Sequence, residues 1–355
     1  MRSGAIVLPA LVLLCASGCE PADPARALLD DYRTRMGRVL EVDPGPLPEA
    51  ELAPWPRARD RTLEVPAQRI NLIEFLRLQR CDLGELVGAR SSPLGRVMQP
   101  SRRLRYEIRF LRRADACLER LGAQPDAQEN AARLAGLVAA KRTGLGAVIW
   151  NATLADDALA DSHALSTPAL APAQTRGSGR EATGALRRLA VIADAAGRRA
   201  VTLEDWEAPW RSLDRSRFPA AARRALALMR ITLEDVSAAM ETRESRRPVC
   251  PLGRPTPDAR ILENLFQRYY AGVTSEGALA VQPFLADLSS GYRRWLDALV
   301  QLRRAQRTQA PEGFSAVADL QAEWQALVRA RDRHTQLWQD LLERCGLEPR
   351  GPGAS

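Results

Sequence analysis

The chain has 355 residues, with 46% hydrophobic, 26% charged and 5% aromatic side chains. These fractions exclude collagen-like or wholly disordered material and allow one large domain or two moderate ones. Lys and Arg total 51 against 43 Asp and Glu, a net charge of +8 with neutral His, and only one of the 51, Lys141, is a lysine. Such a balance favours anionic partners. The basic residues are nevertheless interleaved with acids, and runs such as Ser101-Arg-Arg-Leu-Arg-Tyr and Phe110-Leu-Arg-Arg read as solvated helix faces. No nucleic-acid-binding motif accompanies the charge, so nucleic acid is not an expected partner.

Residues 1–18 read as a signal peptide. Arg2 supplies a positive start, and Ala5 to Leu14 supply an apolar run of about ten residues, too short to span a bilayer of about 30 Å. Ala16-Ser17-Gly18-Cys19 follows. Small residues let a peptidase approach the backbone, and the thiol offers a nucleophile for a diacylglycerol. This resembles a bacterial lipoprotein signal, or lipobox, departing from it at Ala16, where leucine is commoner. The alternative is plain secretion, but a cysteine directly after Ser-Gly favours lipidation of Cys19. Removal of residues 1–18 takes away one charged side chain, Arg2, and leaves a net +7. Each buried acyl methylene contributes about 0.8 kcal/mol, so several chains make a firm membrane anchor. Glu20 follows the cysteine, and by resemblance to lipoprotein sorting a residue other than Asp there points to the outer membrane of a Gram-negative host, facing the periplasm.

Along the mature chain the periodicity is helical. Asp23-Pro24 opens a helix to Leu40, with Leu28, Leu29, Tyr32, Met36, Val39 and Leu40 at helical spacing. Residues 43–68 carry six prolines and read as extended, with Trp55 pinning the segment to the core. Residues 70–81 form a densely apolar helix, 82–89 a short one broken by Ser91-Ser92-Pro93. Pro100 opens a helix to about Leu121, and Pro125 opens another to Lys141 or beyond, where Gly144 and Gly146 interrupt the pattern before Val148-Ile149-Trp150, which can resume it. Residues 162–184, rich in Ser, Thr, Ala, Pro and Gly, read as a long surface loop and a possible subdivision of the 19–346 domain. Helices follow at about 181–198, 202–214, 219–243, from Pro257 through Tyr269, from Pro283 through Leu302, and at 314–345. The tail, 347–355, reads as frayed. Arg61–Val65 is a weak strand candidate. The expected fold is all-α, a multi-helix bundle with proline-rich extended connections.

Cys15 leaves with the signal peptide and Cys19 takes the lipid, so four cysteines remain: Cys81, Cys117, Cys250 and Cys345. An even number in an exported chain suggests two disulfides in one of three connectivities. The local pairing, Cys81–Cys117 and Cys250–Cys345, is favoured, because helices ending at Cys81 and running from Pro100 to Cys117 bring two thiols to one level. Four buried free thiols are the alternative. There is no CxxC pair, and the only histidines are His163 and His334, which argues against zinc. No cofactor is expected.

Catalytic patterns are scarce. No GxSxG sits in a strand–turn–helix setting and no P-loop is present. His163 falls in the 162–184 stretch and reads as solvated. His334 and Arg331 lie in an apolar stripe flanked by Trp324 and Trp338. They form either a buried polar pocket or, the favoured reading, residues that reach solvent as the stripe drifts. Gly95-Arg-Val-Met98-Gln99-Pro100 resembles part of a peptidoglycan lytic transglycosylase signature, a family that needs a Glu-Ser upstream. The equivalent position falls near Cys81, Glu85 precedes Leu86, and Glu244-Ser245 lies far downstream. No catalytic residue is carried over.

The segment Arg69-INLIEFLRLQRCDLGELVGARSSPLGRVMQPSRRLRYEIRFLRRADACL-Glu119, with Pro248-Val-Cys-Pro and Arg344-Cys345-Gly346, resembles an uncharacterised family of proteobacterial lipoproteins bearing a domain of unknown function. The resemblance implies export, lipidation and helical content, and supplies no reaction or ligand. The leading expectation is a helical binding or scaffold protein held at the membrane by lipid on Cys19, engaging an envelope protein or an anionic envelope component. The alternatives are an enzyme on an envelope polymer, with Glu74, Glu85 or Glu107 hidden in a groove, and a basic module binding anionic lipid or lipopolysaccharide.

Overall fold

The computed structural model describes residues 23–66, 83–124, 127–196, 201–272 and 280–348. The expected signal peptide, Cys19, the helix expected at 70–81 with Glu74 and Cys81, and the tail beyond residue 348 lie outside the described residues. Among the described residues the protein is all-α, with thirteen helices and no strand.

The helices are α1 (Pro24–Leu40), α2 (Ala58–Arg61), α3 (Gly84–Ser91), α4 (Pro93–Arg96), α5 (Pro100–Gly122), α6 (Gln128–Asn151), α7 (Asp157–Asp161), α8 (Arg180–Ala195), α9 (Ala208–Arg215), α10 (Phe218–Arg246), α11 (Pro257–Leu265), α12 (Val281–Arg304) and α13 (Ala316–Cys345). Local chemistry sets their ends. Asp23 accepts from the Arg26 amide at 3.0 Å ahead of Pro24, and Thr256 does the same for α11. Gly346, at φ +61°, closes α13, and the Leu347 amide turns back to the Leu342 carbonyl.

Three long helices form the bundle centre. α1 runs parallel to α10, joined by Arg33–Asp235 at 2.8 Å and Arg247–Glu41 at 3.5 Å. α10 runs parallel to α13, joined by Arg223–Glu323, Arg333–Glu241 and Arg344–Glu244. α8 and α12 lie side by side, with Phe218 of α10 resting on Gly291 of α12. The expected Cys250–Cys345 disulfide is present, its Cα atoms 5.4 Å apart, tying the end of α13 to the loop after α10.

Trp55 packs against the core as expected. Of the proline-rich strap at 43–68, expected to be extended, residues 43–57 and 62–66 are so, Ala58–Arg61 instead turns into α2, and 67–68 lie outside the described residues. Its prolines remove donors and leave surplus carbonyls. Arginines supply the missing donors: Arg33 to Pro44 O at 2.8 Å, Arg26 to Leu47 O at 2.6 Å, and Arg223 to Ala53 O at 2.7 Å. Arg33 and Arg223 are buried, so these arginines are structural rather than solvated.

Four local expectations are corrected. The 162–184 stretch is not a surface loop. Ser162, His163, Thr167, Leu170 and Thr175 are buried, Leu170 N donates to Ala221 O, and Arg224 donates to the Leu165 and Thr167 carbonyls. Its small residues permit close packing, and its hydroxyls satisfy nearby carbonyls. Gly144 and Gly146 do not interrupt α6, which is continuous to Asn151. A Cβ on Gly146 would stand 3.2 Å from the Thr308 side chain, so glycine there admits the chain after α12. The weak strand expected at 61–65 is instead the last residue of α2, Arg61, followed by extended chain whose Leu63 pairs, N and O, with the Asn151 side-chain amide at 2.8 and 2.7 Å. The helix expected from residue 202 begins only at Ala208.

Candidate functional site

α5 and α6 form an antiparallel hairpin rooted by indole pins. Trp150 donates to Arg61 O, Trp206 to Ser101 O and Trp210 to Ala152 O, at 2.7, 2.9 and 2.6 Å. Arg103, Tyr106, Glu107 and Phe110 fall at i, i+3, i+4 and i+7 on α5 and therefore share a face. Leu137, Lys141, Gly144 and Val148 make the facing stripe on α6. With Arg90 and Arg96 from α3 and α4, and with Val65 and Pro66, they enclose a cleft of about 700 Å³. A smaller cavity of about 280 Å³ continues past Arg103, sharing Val65 and Val148.

The cleft is basic. Its one carboxylate among the described lining residues is Glu107, buried and bonded to Lys141 Nζ at 2.7 Å. The same ammonium sits 5.0 Å from the Tyr106 ring centroid and 4.7 Å from that of Phe110. The chain's single lysine is thus held between a carboxylate and two aromatic faces. Arg90 donates to Gly95 O and Arg96 to Ser91 O, and neither has a carboxylate partner among the described residues. Arg103 has none either, and its buried Nε has no hydrogen-bond partner. Burial, with the charge of Arg90 adding, lowers the Arg103 guanidinium from its ordinary range. Burial, with Glu107 adding, pushes the Tyr106 phenol well up, so it stays a neutral donor. Three guanidinium groups with no carboxylate partner among the described residues, beside an aromatic and aliphatic wall, suit a phosphate or carboxylate carried on an apolar body.

Glu85 is exposed on α3, 3.8 Å from Arg113, and Glu74 lies outside the described residues. Cys117 is buried in α5 and disulfide-bonded, while Cys81, its expected partner, lies outside the described residues.

Both histidines correct the expectation of solvation. His334 is fully buried. Its Nε2 lies 2.9 Å from Tyr32 Oη and 3.1 Å from Trp338 Nε1, and its Nδ1 lies 3.0 Å from Ser237 Oγ. Burial lowers it to about 3, so the ring is neutral. Indole can only donate, so Nε2 accepts and Nδ1–H donates to Ser237. Arg331, beside it in the expected stripe, reaches the surface and pairs with Asp332. His163 stacks on Trp55 at 4.3 Å, centroid to centroid, and meets Trp295 edge-on. Neither ring nitrogen has a hydrogen-bond partner, and burial, with Arg223 adding, lowers it to about 3.

Among the described residues no group of His, Cys, Asp or Glu is placed to hold a metal ion, and no helix is long and apolar enough to cross a membrane. Residues 29–349 match the family described as Protein of unknown function (DUF3080). The chain belongs to that family. No curated protein and no solved structure matches it. The DUF3080 match spans the strap, the cleft and the His334 pocket, and starts after Cys19. A sequence reading that treats the 101–106 run as one solvated face misses the cleft. Arg102 and Arg105 are exposed, but Arg103 and Tyr106 turn inward. The available signals were the isolated Lys141 and the scarcity of acids among the arginines of 90–109.

Proposed function

We propose that this DUF3080 member is a lipoprotein anchored through acylated Cys19 in the outer membrane, facing the periplasm. There it is a binding protein whose cleft takes a phosphate-bearing component of the envelope. The lipobox-like Ala16-Ser17-Gly18-Cys19 supports the anchor. The observation that carries the binding reading is the trio Arg90, Arg96 and Arg103, which has no carboxylate partner among the described residues and surrounds an aromatic-walled cleft. A binding role accounts for the cleft better than catalysis. Glu107 is the one acid among the described lining residues, and Lys141 occupies its carboxylate.

Two experiments test this reading. Radiolabelled palmitate enters the wild-type chain and not the Cys19→Ala form, which leaves the membrane fraction; equal labelling or equal fractionation removes the anchor. Calorimetric titration of the chain from residue 19, carrying Cys19→Ala, with sn-glycerol 1-phosphate gives salt-sensitive binding, weakened at least tenfold in R90A/R96A/R103A. No binding, or binding indifferent to the three substitutions, removes the cleft's role.

A further inference from the structure

The corner between α3 and α4 is built rigidly and yet exposes aliphatic side chains. Leu94 is 83% exposed and Val97 78%. They flank Gly95 and Arg96 on a turn whose geometry is fixed from several sides. Ser92 Oγ accepts from the Gly95 amide at 3.0 Å and donates to Ala89 O at 2.8 Å. Arg90 donates to Gly95 O and Arg96 to Ser91 O. A Cβ on Gly95 would stand 2.1 Å from Ala89 O and 2.6 Å from Arg90 O, so only glycine lets α4 fold back so tightly on α3. The exposure of Leu94 and Val97 is therefore designed into a preformed corner. It is not an accident of a loose loop.

The charge around that corner is one-sided. From Leu83 to Leu111 there are six arginines and two acids, Glu85 and Glu107. Both acids are engaged, with Arg113 and Lys141. Arg102 and Arg105 are exposed on the first turns of α5, and Arg90, Arg96 and Arg103 face the cleft.

We propose that this corner is a membrane-docking element, with Leu94 and Val97 entering the interface of an anionic bilayer while the surrounding arginines meet its phosphate groups. The proposal rests on the binding reading above and names the phosphate-bearing component as phospholipid of the membrane itself. Charge complementarity selects the occupant: an aliphatic pair beside arginines that have no carboxylate partner among the described residues matches an anionic lipid surface. Topology agrees. α1 runs parallel to α10 and α13, so its first residue points to the end of the bundle where α13 begins. The foot of the α5–α6 hairpin lies at that same end, where Trp150 meets Phe314 and Gln306 bonds Thr153. The corner joins that foot through Met98 and Pro100, which line one cavity with Asn151. Residues 19–23 can bridge at most about 17 Å between an acylated Cys19 and Pro24. The lipid and the corner would thus hold one end of the molecule against the bilayer and set its orientation.

The test uses the chain from residue 19 carrying Cys19→Ala, so that no acyl chain contributes, and compares it with the same chain bearing L94S/V97S. Sedimentation is measured with vesicles of phosphatidylglycerol and phosphatidylethanolamine, and with vesicles of phosphatidylcholine alone. The expected result is salt-sensitive binding to the anionic vesicles, little to the neutral ones, and a loss of about tenfold or more in L94S/V97S with glycerol phosphate affinity unchanged. Equal binding by the double variant, or equal binding to neutral vesicles, overturns the proposal. Glycerol phosphate binding without vesicle binding overturns the docking and leaves the cleft standing. Vesicle binding that L94S/V97S loses, in a chain that does not bind glycerol phosphate, sustains the docking and removes the cleft. Binding to neither removes both.

Discussion

At His334, both ring nitrogens, the Tyr32 hydroxyl, the Ser237 hydroxyl and the Trp338 indole satisfy one another inside the bundle. Across the α5–α6 hairpin, Arg103 holds a buried Nε with no hydrogen-bond partner, and Arg90 and Arg96 face a cleft whose one carboxylate among the described lining residues, Glu107, is taken by Lys141. The first region is sealed from bulk water, whereas in the second Arg90 and Arg103 are half-buried and Arg96 is exposed. The first completes its hydrogen bonds within the chain, which makes it a source of stability and a single packing arrangement. The second leaves the Arg103 Nε buried without an acceptor and gathers positive charge around it, which makes the region a place for an anion. The difference lies in whether the acceptors are supplied by the fold.

Removing the centre of the closed network has the largest expected effect. His334→Ala takes the partner from the Ser237 hydroxyl and the acceptor from the Tyr32 hydroxyl, leaves the Trp338 indole only its bond to Tyr32 Oη, and opens a cavity. It should destabilise by about 3–4 kcal/mol in urea denaturation at pH 7.5 without altering glycerol phosphate binding by the residual folded protein. A loss below about 1 kcal/mol would mean the network is not the stabilising unit inferred here.

Glu107→Gln strikes the Lys141 ion pair within the open region. It leaves the Lys141 ammonium beside Tyr106 and Phe110 without its counter-charge, and should destabilise by about 2–3 kcal/mol. The same change removes the negative charge from the cleft, so glycerol phosphate should bind more tightly, and a calorimetric titration tests this opposition directly. Weaker binding would show that Glu107 positions Lys141 for the ligand.

His163 separates burial from hydrogen bonding. Its folded value of about 3 lies below the ordinary unfolded value near 6.5, so its contribution is fully present above pH 6.5 and is lost as pH falls towards 3. Between pH 7.5 and 5 this amounts to about 2 kcal/mol. His334 acts in the same direction. Asp156, raised to about 7 by burial, acts oppositely, since the folded state takes up its proton first as pH falls. The clean measurement is a difference: His163→Phe, which keeps the stack on Trp55 and gives up no hydrogen bond, should lose about 2 kcal/mol less than wild type over that range. Parallel pH profiles would refute the burial of a neutral His163.

The smallest effect on stability belongs to Arg103→Gln. With no partner to lose, it should change stability by no more than about 0.5 kcal/mol. Glycerol phosphate affinity should fall about tenfold, or about 1.4 kcal/mol. Stability and binding thus respond in opposite proportion at His334 and Arg103.

Helix positions were legible because they depend on neighbours three and four residues away and on local caps. Asp23-Pro24, Thr256-Pro257 and Gly346 mark ends that the structure keeps. The proline strap and the Cys250–Cys345 bridge were legible for similar reasons: backbone restriction by proline and an even thiol count are properties of the chain itself. The 162–184 stretch was misread because small polar residues have the same composition in a floppy loop and in a tightly packed one. His163 and His334 were misread because a histidine's solvation depends on Trp55, Tyr32 and Ser237, none of which is near it in sequence.

The amino-acid order by itself determined an all-α chain, its helix ends, its extended strap and the amphipathic faces, since each follows from short-range sterics, capping and periodicity. Tertiary packing alone decided which polar residues would be closed off and which left open. Residue spacing brings Arg103 and Tyr106 to one face of α5, but whether that face meets water, a carboxylate or another row of cations depends on α3, α4 and α6 converging over it. Electrostatic and hydrogen-bond partnership is a matter of distances in space, and those are not encoded in any single stretch of sequence.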